Sequence, residues 1–525
     1  MVSCVQITDE ARALKEFVEK HGAKISGVLS CPDRVVFKGY LPIGYSQAME
    51  SFMMRQGVLI KDFKKFVIEQ TGRLNDHAKA IAEHSNRPYQ YLYTHRDRKD
   101  QMAEQIALRD GVTSGLICVF GVVEPCQSFV LAYGQGRPRL VGAQRKCLCF
   151  YYYFIDREWG MMHVRIQSWF PMNIQICING HEWLARKMER HGIAYEKIDN
   201  AFAWIEDVNR AQRFAEDLTR KRLHRKFNAL ARRVNPLMDD LLQWAQYYWV
   251  IDQYEFSTDI MFKDRNSLEA LFPKLLKHAA VCFSAEDVLT FLGRRLHPNF
   301  KGEVLNDCKK RPRGARVKHR MKANWIKMYD KHGLVLRIET VINHPYEFKV
   351  RRKGKRKGEQ IMGWFPMAKG VANFPRFAEV CLIANKRYLQ ALSVVDDPTQ
   401  AYHELDQLCE PARLNGRRRR GLNPLRRDDV ALFTAVLRGE HAILGFSNRN
   451  LFHHLYPNSS QDPVTLRRTR ARVTRLIQLL RAHKLIAKIP RSRRYRLTLR
   501  GLRLISAALY LRKEDLPETI CALAA

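Results

Sequence analysis

TLRRTRARVTRLIQLLRAHKLIAKIPRSRRYRLTLRG, residues 465–501, decides how the last fifth of this 525-residue chain folds. Val473, Leu476, Ile477 and Leu480 recur at helical spacing and predict one buried face. Arg467, Arg468, Arg470, Arg472 and Arg475 crowd the remaining surface. The helix is expected to stop near His483. Ala487–Ile489 then reads as a short strand, Pro490–Arg494 as a basic turn and Tyr495–Thr498 as a return strand. Upstream, Asp428–Arg438 and Asn448–Tyr456 supply two shorter helical segments. From Pro411 to Ala525 there are 25 Lys and Arg against 7 Asp and Glu, a net of +18 within a chain total of +37. Charge this concentrated suits phosphate backbones, because neutralised phosphates release condensed counterions.

The run VTRLIQLLRAHKLIAKIPRSRRYRLTLRG is similar to the recognition helix and wing of bacterial winged-helix DNA-binding domains. The resemblance implies that the helix enters the major groove of duplex DNA and the hairpin lies on the backbone. Arg491, Arg493, Arg494 and Arg496 would then contact DNA from the wing, and the five helix arginines from the groove. The alternative is a solvated basic helical hairpin packed on the rest of the protein.

The length predicts two to four domains, and 46% hydrophobic residues with 10% aromatic can bury real cores. No stretch reaches the ~18 uncharged apolar residues of a membrane span. The first residues, MVSCVQITDEARALKEF, carry acids where a signal peptide has an apolar core, so a cytoplasmic protein is expected. The 12 cysteines are scattered and read as reduced thiols. Cys147 and Cys149 form a CxC with Cys118 and Cys126 upstream, in apolar runs where buried structural thiols are expected ahead of zinc ligands.

The expected fold class is α+β and multi-domain: a mixed α/β body, a basic β-meander and the C-terminal winged helix. Its parts are an N-terminal body over 1–245, a β-rich basic nucleic-acid module with a closing helix over 246–410, a basic linker over 411–427, and a DNA-binding domain over 428–525. In the body, helices are predicted at Ala11–Lys20, Gln47–Arg55, Lys61–His84 with a break at Gly72, Lys99–Arg109, His181–Arg190 and Asp207–Arg233. Strands are predicted at Arg34–Leu41, Tyr89–Tyr93, in GLICVFGVVEP, KCLCFYYYFID and GMMHVRIQSWFP, and near Tyr195–Ile205. YYWVIDQYEFSTDIMF reads as an extended strand or a hairpin, RRKGKRKGE from Arg351 as a basic loop, and Val371–Leu392 as a helix. SWFPM at 168–172 recurs as GWFPM at 363–367, which a shared strand-to-helix turn or chance explains.

VKHRMKANWIKMYDKHGLVLRIETVIN, Val317–Asn343, is the segment most suggestive of chemistry. It alternates over three short runs with turns near Ala323 and His332, a β-meander. Lys327, Tyr329 and Lys331 share one strand face; Arg337 and Glu339 share one on the next. Paired antiparallel, these strands bring a tyrosine, cations and a carboxylate together. A tyrosine beside cations is a nucleophile type for a phosphodiester, since the cations stabilise the phenolate. YDK (329–331) followed by LRIE (336–339) resembles rolling-circle replication initiators of plasmids and filamentous phages. That resemblance implies strand cleavage by Tyr329 assisted by Lys331 and Glu339, with Mg2+ or Mn2+. No His-hydrophobe-His metal pair accompanies it; MMHVRI has only His163. Glu339, Asp33 and Asp259 are the alternative carboxylate ligands. A binding role competes: Lys318, Arg320, Lys322 and Lys327, interleaved with Trp325 and Tyr329, and then Arg351, Arg352 and Lys353, suit phosphate contact and base stacking. Residues 301–360 hold 19 basic against 6 acidic side chains. No GxxxxGK[ST] run argues for an ATP-driven motor. The leading expectation is a nucleic-acid-binding protein of mobile-element type, nicking or transposase-like; the alternative is a non-catalytic DNA- or RNA-binding regulator. Duplex DNA is the expected partner of the C-terminal part, single-stranded DNA or RNA of the body.

Overall fold

A computed structural model describes residues 17–134, 136–283, 285–293, 304–311, 314–356, 358–393, 395, 401–439, 441, 445–458, 462–489 and 492–515. The fold is mixed α/β with a large mixed sheet. In chain order the strands are β1 (Ile25–Tyr40), β2 (Tyr89–Leu92), β3 (Gly115–Gly134), β4 (Arg137–Asp156), β5 (Gly160–Gln167), β6 (Ile174–Asn179), β7 (Tyr195–Ile198), β8 (Ala201–Ile205), β9 (Tyr248–Phe262), β10 (Val304–Arg311), β11 (Gly314–Met321), β12 (Asn324–Lys331), β13 (Val335–Ile342), β14 (Lys349–Arg356), β15 (Glu359–Pro366), β16 (Ala412–Leu414), β17 (Arg417–Arg419), β18 (Ile486–Lys488) and β19 (Tyr495–Leu497). The helices are α1 (Ser46–Arg55), α2 (Phe63–His84), α3 (Lys99–Arg109), α4 (Gly180–Arg190), α5 (Val208–Thr219), α6 (His224–Val234), α7 (Arg265–Lys277), α8 (Ala285–Phe291), α9 (Phe374–Leu392), α10 (Ala401–Cys409), α11 (Arg427–Leu437), α12 (Asn448–Leu455), α13 (Pro463–Ala482) and α14 (Leu499–Tyr510). No helix among the described residues is long and apolar enough to cross a membrane.

The chain divides into two compact units. One comprises Gly27–Asp259 and Val341–Glu379; the other Met1–Ser26, Ile260–Thr340 and Val380–Ala525. The first is built on strands in the order β9-β1-β6-β5-β4-β3-β2, antiparallel where β1 meets β6 and β3 meets β4, parallel where β2 meets β3. Burial is near-continuous along β1, β6 and β9, alternates along β5, and in β4 is confined mainly to the second half of the strand. Phe37, Val119, Phe120, Tyr152, Val164 and Ile176 are fully buried. The predicted break at Gly72 is absent: α2 runs through it, and nothing lies close to that glycine. The single long helix expected over Asp207–Arg233 is two, α5 and α6, and the strand near Tyr195–Ile205 is the β7–β8 hairpin. Of the helix expected at Ala11–Lys20, only the part from Phe17 lies within the described residues.

The two WFPM runs differ in structure. Residues 168–172 form a turn with a cis Phe170–Pro171 bond and a buried Phe170, whereas Gly363–Pro366 is strand β15 with Trp364 exposed. The basic run from Arg351 is likewise strand β14 of a two-stranded ribbon with β15, not a loop.

In the second unit, β11-β12-β13 form the predicted meander, turning at Lys322 and at His332–Gly333, all with positive φ, and β10 adds a fourth strand that the sequence reading does not include. Val317, His319, Ile326 and Met328 cover one face and are fully buried. The C-terminal segment has its own core: Leu432, Phe433, Val436, Phe446, Leu451, Val473, Ile477, Leu480, Leu485, Ile505 and Ala508, joined by Leu408 of α10. The segment expected as a linker, 411–427, carries the β16–β17 hairpin, turned at Asn415 and Gly416 in the left-handed region. Its Arg419 donates to Gln478 Oε1 of α13 at 2.6 Å.

Candidate nucleic-acid interface

Helix α13 starts where Asp462 accepts from Thr465 N–H at 2.8 Å, with Pro463 in the first turn, where a missing N–H costs nothing. It ends at His483, as the sequence predicts. Val473, Ile477 and Leu480 face the core, so Arg467, Arg468, Arg470, Arg472 and Arg475 are left on the surface, and all five are exposed. None of the five has a carboxylate partner among the described residues. Arg470 and Arg472 rest 5.8 and 6.0 Å from the rings of Phe452 and Tyr456. Arg468 and Arg475 fall near the centre of the exposed arc at 100° per residue.

Helix α12 is fixed against α13 by Asn448, which donates to Thr474 Oγ1 at 2.7 Å, and it begins with a capping box of Ser447 and Asn450. After α13 the chain forms the β18–β19 hairpin, and Phe446 pairs with Tyr495 as an added bridge. Arg493 is exposed at the hairpin's turn; Arg494 and Arg496 are half-buried, and Arg494 donates to Gly445 O at 3.3 Å. Arg491 lies outside the described residues. Asp429, fully buried, anchors the start of α11. Burial alone pushes its carboxyl up, but hydrogen bonds from Arg420 and the Asn423 N–H hold it below its usual range.

The second basic surface is the outer face of β10–β12. Register places Arg316 opposite Tyr329, Lys318 opposite Lys327, and Arg320 opposite Trp325. Residues directly opposite share a face, so these side chains form one patch with Asp307 and Lys309 of β10. Arg316 and Lys309 pair with Asp307 at 2.8 and 3.7 Å. Lys318 Nζ sits 3.9 Å over the Trp325 ring. Burial, then Lys327, Arg316 and Arg320, lower its pKa. Arg320 donates to Lys322 O at 2.7 Å, and Lys322 is exposed.

Glu339 closes this patch. It is 2% exposed in its side chain and accepts from both Lys327 Nζ and the Tyr329 hydroxyl. The predicted meeting of Lys327, Tyr329 and Glu339 is present. Lys331 Nζ lies 6.0 Å from the Tyr329 ring. Arg337, expected on the same face, is fully buried. Tyr329 is half-buried and its phenol is committed to a carboxylate.

In the other unit, Asp33 and Asp259 stand on either side of His181. Asp33 Oδ1 is 3.5 Å from Nδ1 and Asp259 Oδ2 is 3.5 Å from Nε2. All three are buried. Ser257 Oγ is 3.3 Å from Nε2, and Asn200 donates to Asp33 Oδ1 at 2.5 Å. Sequence spacing cannot announce this group, since His181 lies 148 residues from Asp33 and starts an ordinary capped helix.

The thiols expected around the CxC are buried, and Cys126, Cys147 and Cys149 cluster beside Arg165, a meeting the sequence does not announce. Cys126 and Cys149 have their sulfurs 3.3 Å apart, and Arg165 donates to them at 3.3 and 3.1 Å. Hydrogen bonds with Cys147 and Cys149, then Arg165, pull the Cys126 thiol below its usual range against the opposing effect of burial. The CxC alternation, which puts Cys147 and Cys149 on one strand face, was the available signal.

The ribbon β14–β15 completes the basic surfaces. Arg351 and Lys353 are exposed; Arg352 is half-buried, its guanidinium 5.4 Å from the Phe365 ring. Comparison of the chain with protein-family models, with curated proteins and with solved structures returned no match.

Proposed function

We propose that this protein binds nucleic acid, and that its C-terminal segment is a winged helix that grips duplex DNA. One observation carries the reading: five arginines line the exposed arc of α13, free of carboxylates among the described residues, while the opposite arc is core. Guanidinium groups held on a rigid helix donate to phosphate and to guanine edges. The order of α11, α12, α13, the β18–β19 hairpin and α14, with Phe446 bridged to Tyr495, agrees with a helix-and-wing arrangement. Arg493 at the hairpin turn would meet the backbone. Anisotropy titrations of the full chain on labelled duplex DNA across a salt series test the proposal. Affinity should fall steeply with salt, and Arg468→Ala with Arg475→Ala should flatten the slope by about 2. Salt-insensitive binding, or an unchanged slope, would refute it.

A second reading, DNA strand cleavage of the mobile-element type, is favoured by the Lys327–Glu339–Tyr329 group. In it Glu339 takes the phenol proton, the cations stabilise the phenolate, and the Tyr329 oxygen bonds to phosphorus as the bond to the sugar oxygen breaks, that oxygen leaving as a hydroxyl with the proton returned by Glu339. The resemblance of the YDK and LRIE runs implies Mg2+ or Mn2+, so each metal is supplied in the cleavage assay. Tyr329→Phe keeps the ring and removes the nucleophile. A covalent DNA adduct on denaturing gels, present in the wild type and lost in the variant, supports cleavage; no adduct with either metal leaves binding alone.

A further inference from the structure

The β14–β15 ribbon has two unlike faces. Register pairs Arg351 with Trp364, Lys353 with Met362 and Lys355 with Gln360 on one of them. Val350, Arg352, Gly354, Ile361, Gly363 and Phe365 alternate onto the other. That second face covers itself. Phe365 lies flat on Gly354, where a Cβ would stand 2.7 Å from its ring, and Arg352 closes over the same ring. An aromatic laid across a strand glycine stiffens a ribbon and pins its register. The first face has no such cover. Trp364 is 61% exposed and Met362 56%, and Arg351, Lys353 and Lys355 are exposed around them.

The geometry points to this face as a platform for single-stranded nucleic acid, with a base stacked on the Trp364 indole beside Met362 and the adjoining phosphates on Arg351, Lys353 and Lys355. The inference rests on the nucleic-acid reading but on a different surface from α13. Three cations at every second position along eight paired residues match a strand's regular phosphates. An indole needs an unstacked base face, which an intact duplex does not present along its grooves. Hence the occupant is a single strand rather than a duplex. Arg351 and Lys353 stand out in the sequence as part of a basic run without apolar alternation; Lys355, Met362 and Trp364 join them only through the register.

Anisotropy of the full-length protein with labelled oligothymidylate, and with a duplex of equal length, separates the cases. Trp364→Ala should weaken oligothymidylate binding by about 5- to 100-fold, the range for losing one stacked base. Trp364→Phe should keep most of the affinity. Arg351→Ala and Lys353→Ala should each reduce the single-strand salt slope by about 0.7. Duplex affinity should be unchanged in both Trp364 variants, and equal melting temperatures would show that the fold is intact. Unchanged oligothymidylate binding in Trp364→Ala overturns the proposal. An equal loss on both probes also overturns it, making the ribbon a duplex contact. If Arg468→Ala with Arg475→Ala leaves the duplex unaffected while Trp364→Ala still costs single-strand affinity, the platform stands and the winged-helix reading fails.

Discussion

On α13 five arginines face water with no carboxylate partner among the described residues. On β10–β12 the cations are already engaged: Arg316 and Lys309 on Asp307, Lys327 on Glu339, and Lys318 on the Trp325 ring. The charge count of the sequence does not separate these surfaces, yet the first offers free charge and the second a network closed by a buried glutamate. Free charge releases counterions when phosphate arrives. A closed network must first break, so it gives shape and rigidity sooner than affinity. On the proposed function, α13 is the surface that would grip DNA, and the sheet the one that would position a strand.

Acid should produce the largest separation. Burial lowers His319 and His278 to about 4, so both are neutral in the folded protein near neutral pH. His319 then donates from Nδ1 to Asn306 Oδ1 at 2.8 Å and accepts at Nε2 from Tyr388 at 2.9 Å, beneath the meander. In the unfolded chain a histidine takes its proton near 6.5. Stability is thus fully present above that pH and falls as pH drops from 6.5 towards 4. Each histidine contributes a loss of up to about 3 kcal/mol, at about 1.36 kcal/mol per unit. Denaturant melts at stepped pH should show this fall, and His319→Gln should make it shallower. A flat profile over that window would mean that these imidazoles are not held neutral.

Glu339→Ala comes next. It removes the acceptor of both Lys327 and Tyr329 and leaves the ammonium against a buried site. Breaking such a pair from one side costs about 3 kcal/mol. Glu339→Gln, which keeps an acceptor for the phenol, should cost less. If Glu339→Ala shifts the denaturation midpoint by no more than a surface change does, the network is not what holds the meander together.

How much of this was readable follows from how local each feature is. The face and end of α13, the hairpin behind it and the meander were legible because a period of 3.6 or 2 within ten residues sets them. The meeting of Tyr329 with Glu339 was legible too, since one tight turn joins their strands. The ribbon was not: RRKGKRKG has no apolar alternation, and its extended form depends on Phe365 reaching back across the register to Gly354. The 411–427 hairpin was hidden the same way, its strand β17 being all arginine and stabilised through Gln478 of another element. The Asp33–His181–Asp259 group and the thiols beside Arg165 need strand order, which periodicity does not supply.

On α13 itself, Arg468→Ala and Arg475→Ala should leave stability within about 0.5 kcal/mol, as expected of surface sites without partners. Sequence selection with Arg468→Ala or Arg472→Ala should relax base preference, whereas Arg493→Ala should weaken all sequences alike. The opposite pattern would exchange the roles of helix and hairpin.

Lys318 gives the smallest effect and the sharpest contrast. It is basic, it sits on an aromatic ring, and by sequence alone it ranks with the α13 arginines as a phosphate contact. Yet burial and three neighbouring cations lower its pKa, which means its charge is disfavoured where it stands. A lysine whose folded pKa lies below its unfolded value costs stability while charged, and the cost fades as pH rises. Lys318→Met keeps the stem over Trp325 and removes the charge. Stability should change by less than about 0.5 kcal/mol, with any shift upward, because a half-buried charge at the sheet surface is still largely screened. Duplex affinity and its salt slope should stay at wild-type values. A salt slope reduced by about 1, as for an α13 arginine, would show that the sheet's charge is as free as the helix's and would erase the distinction between the two surfaces.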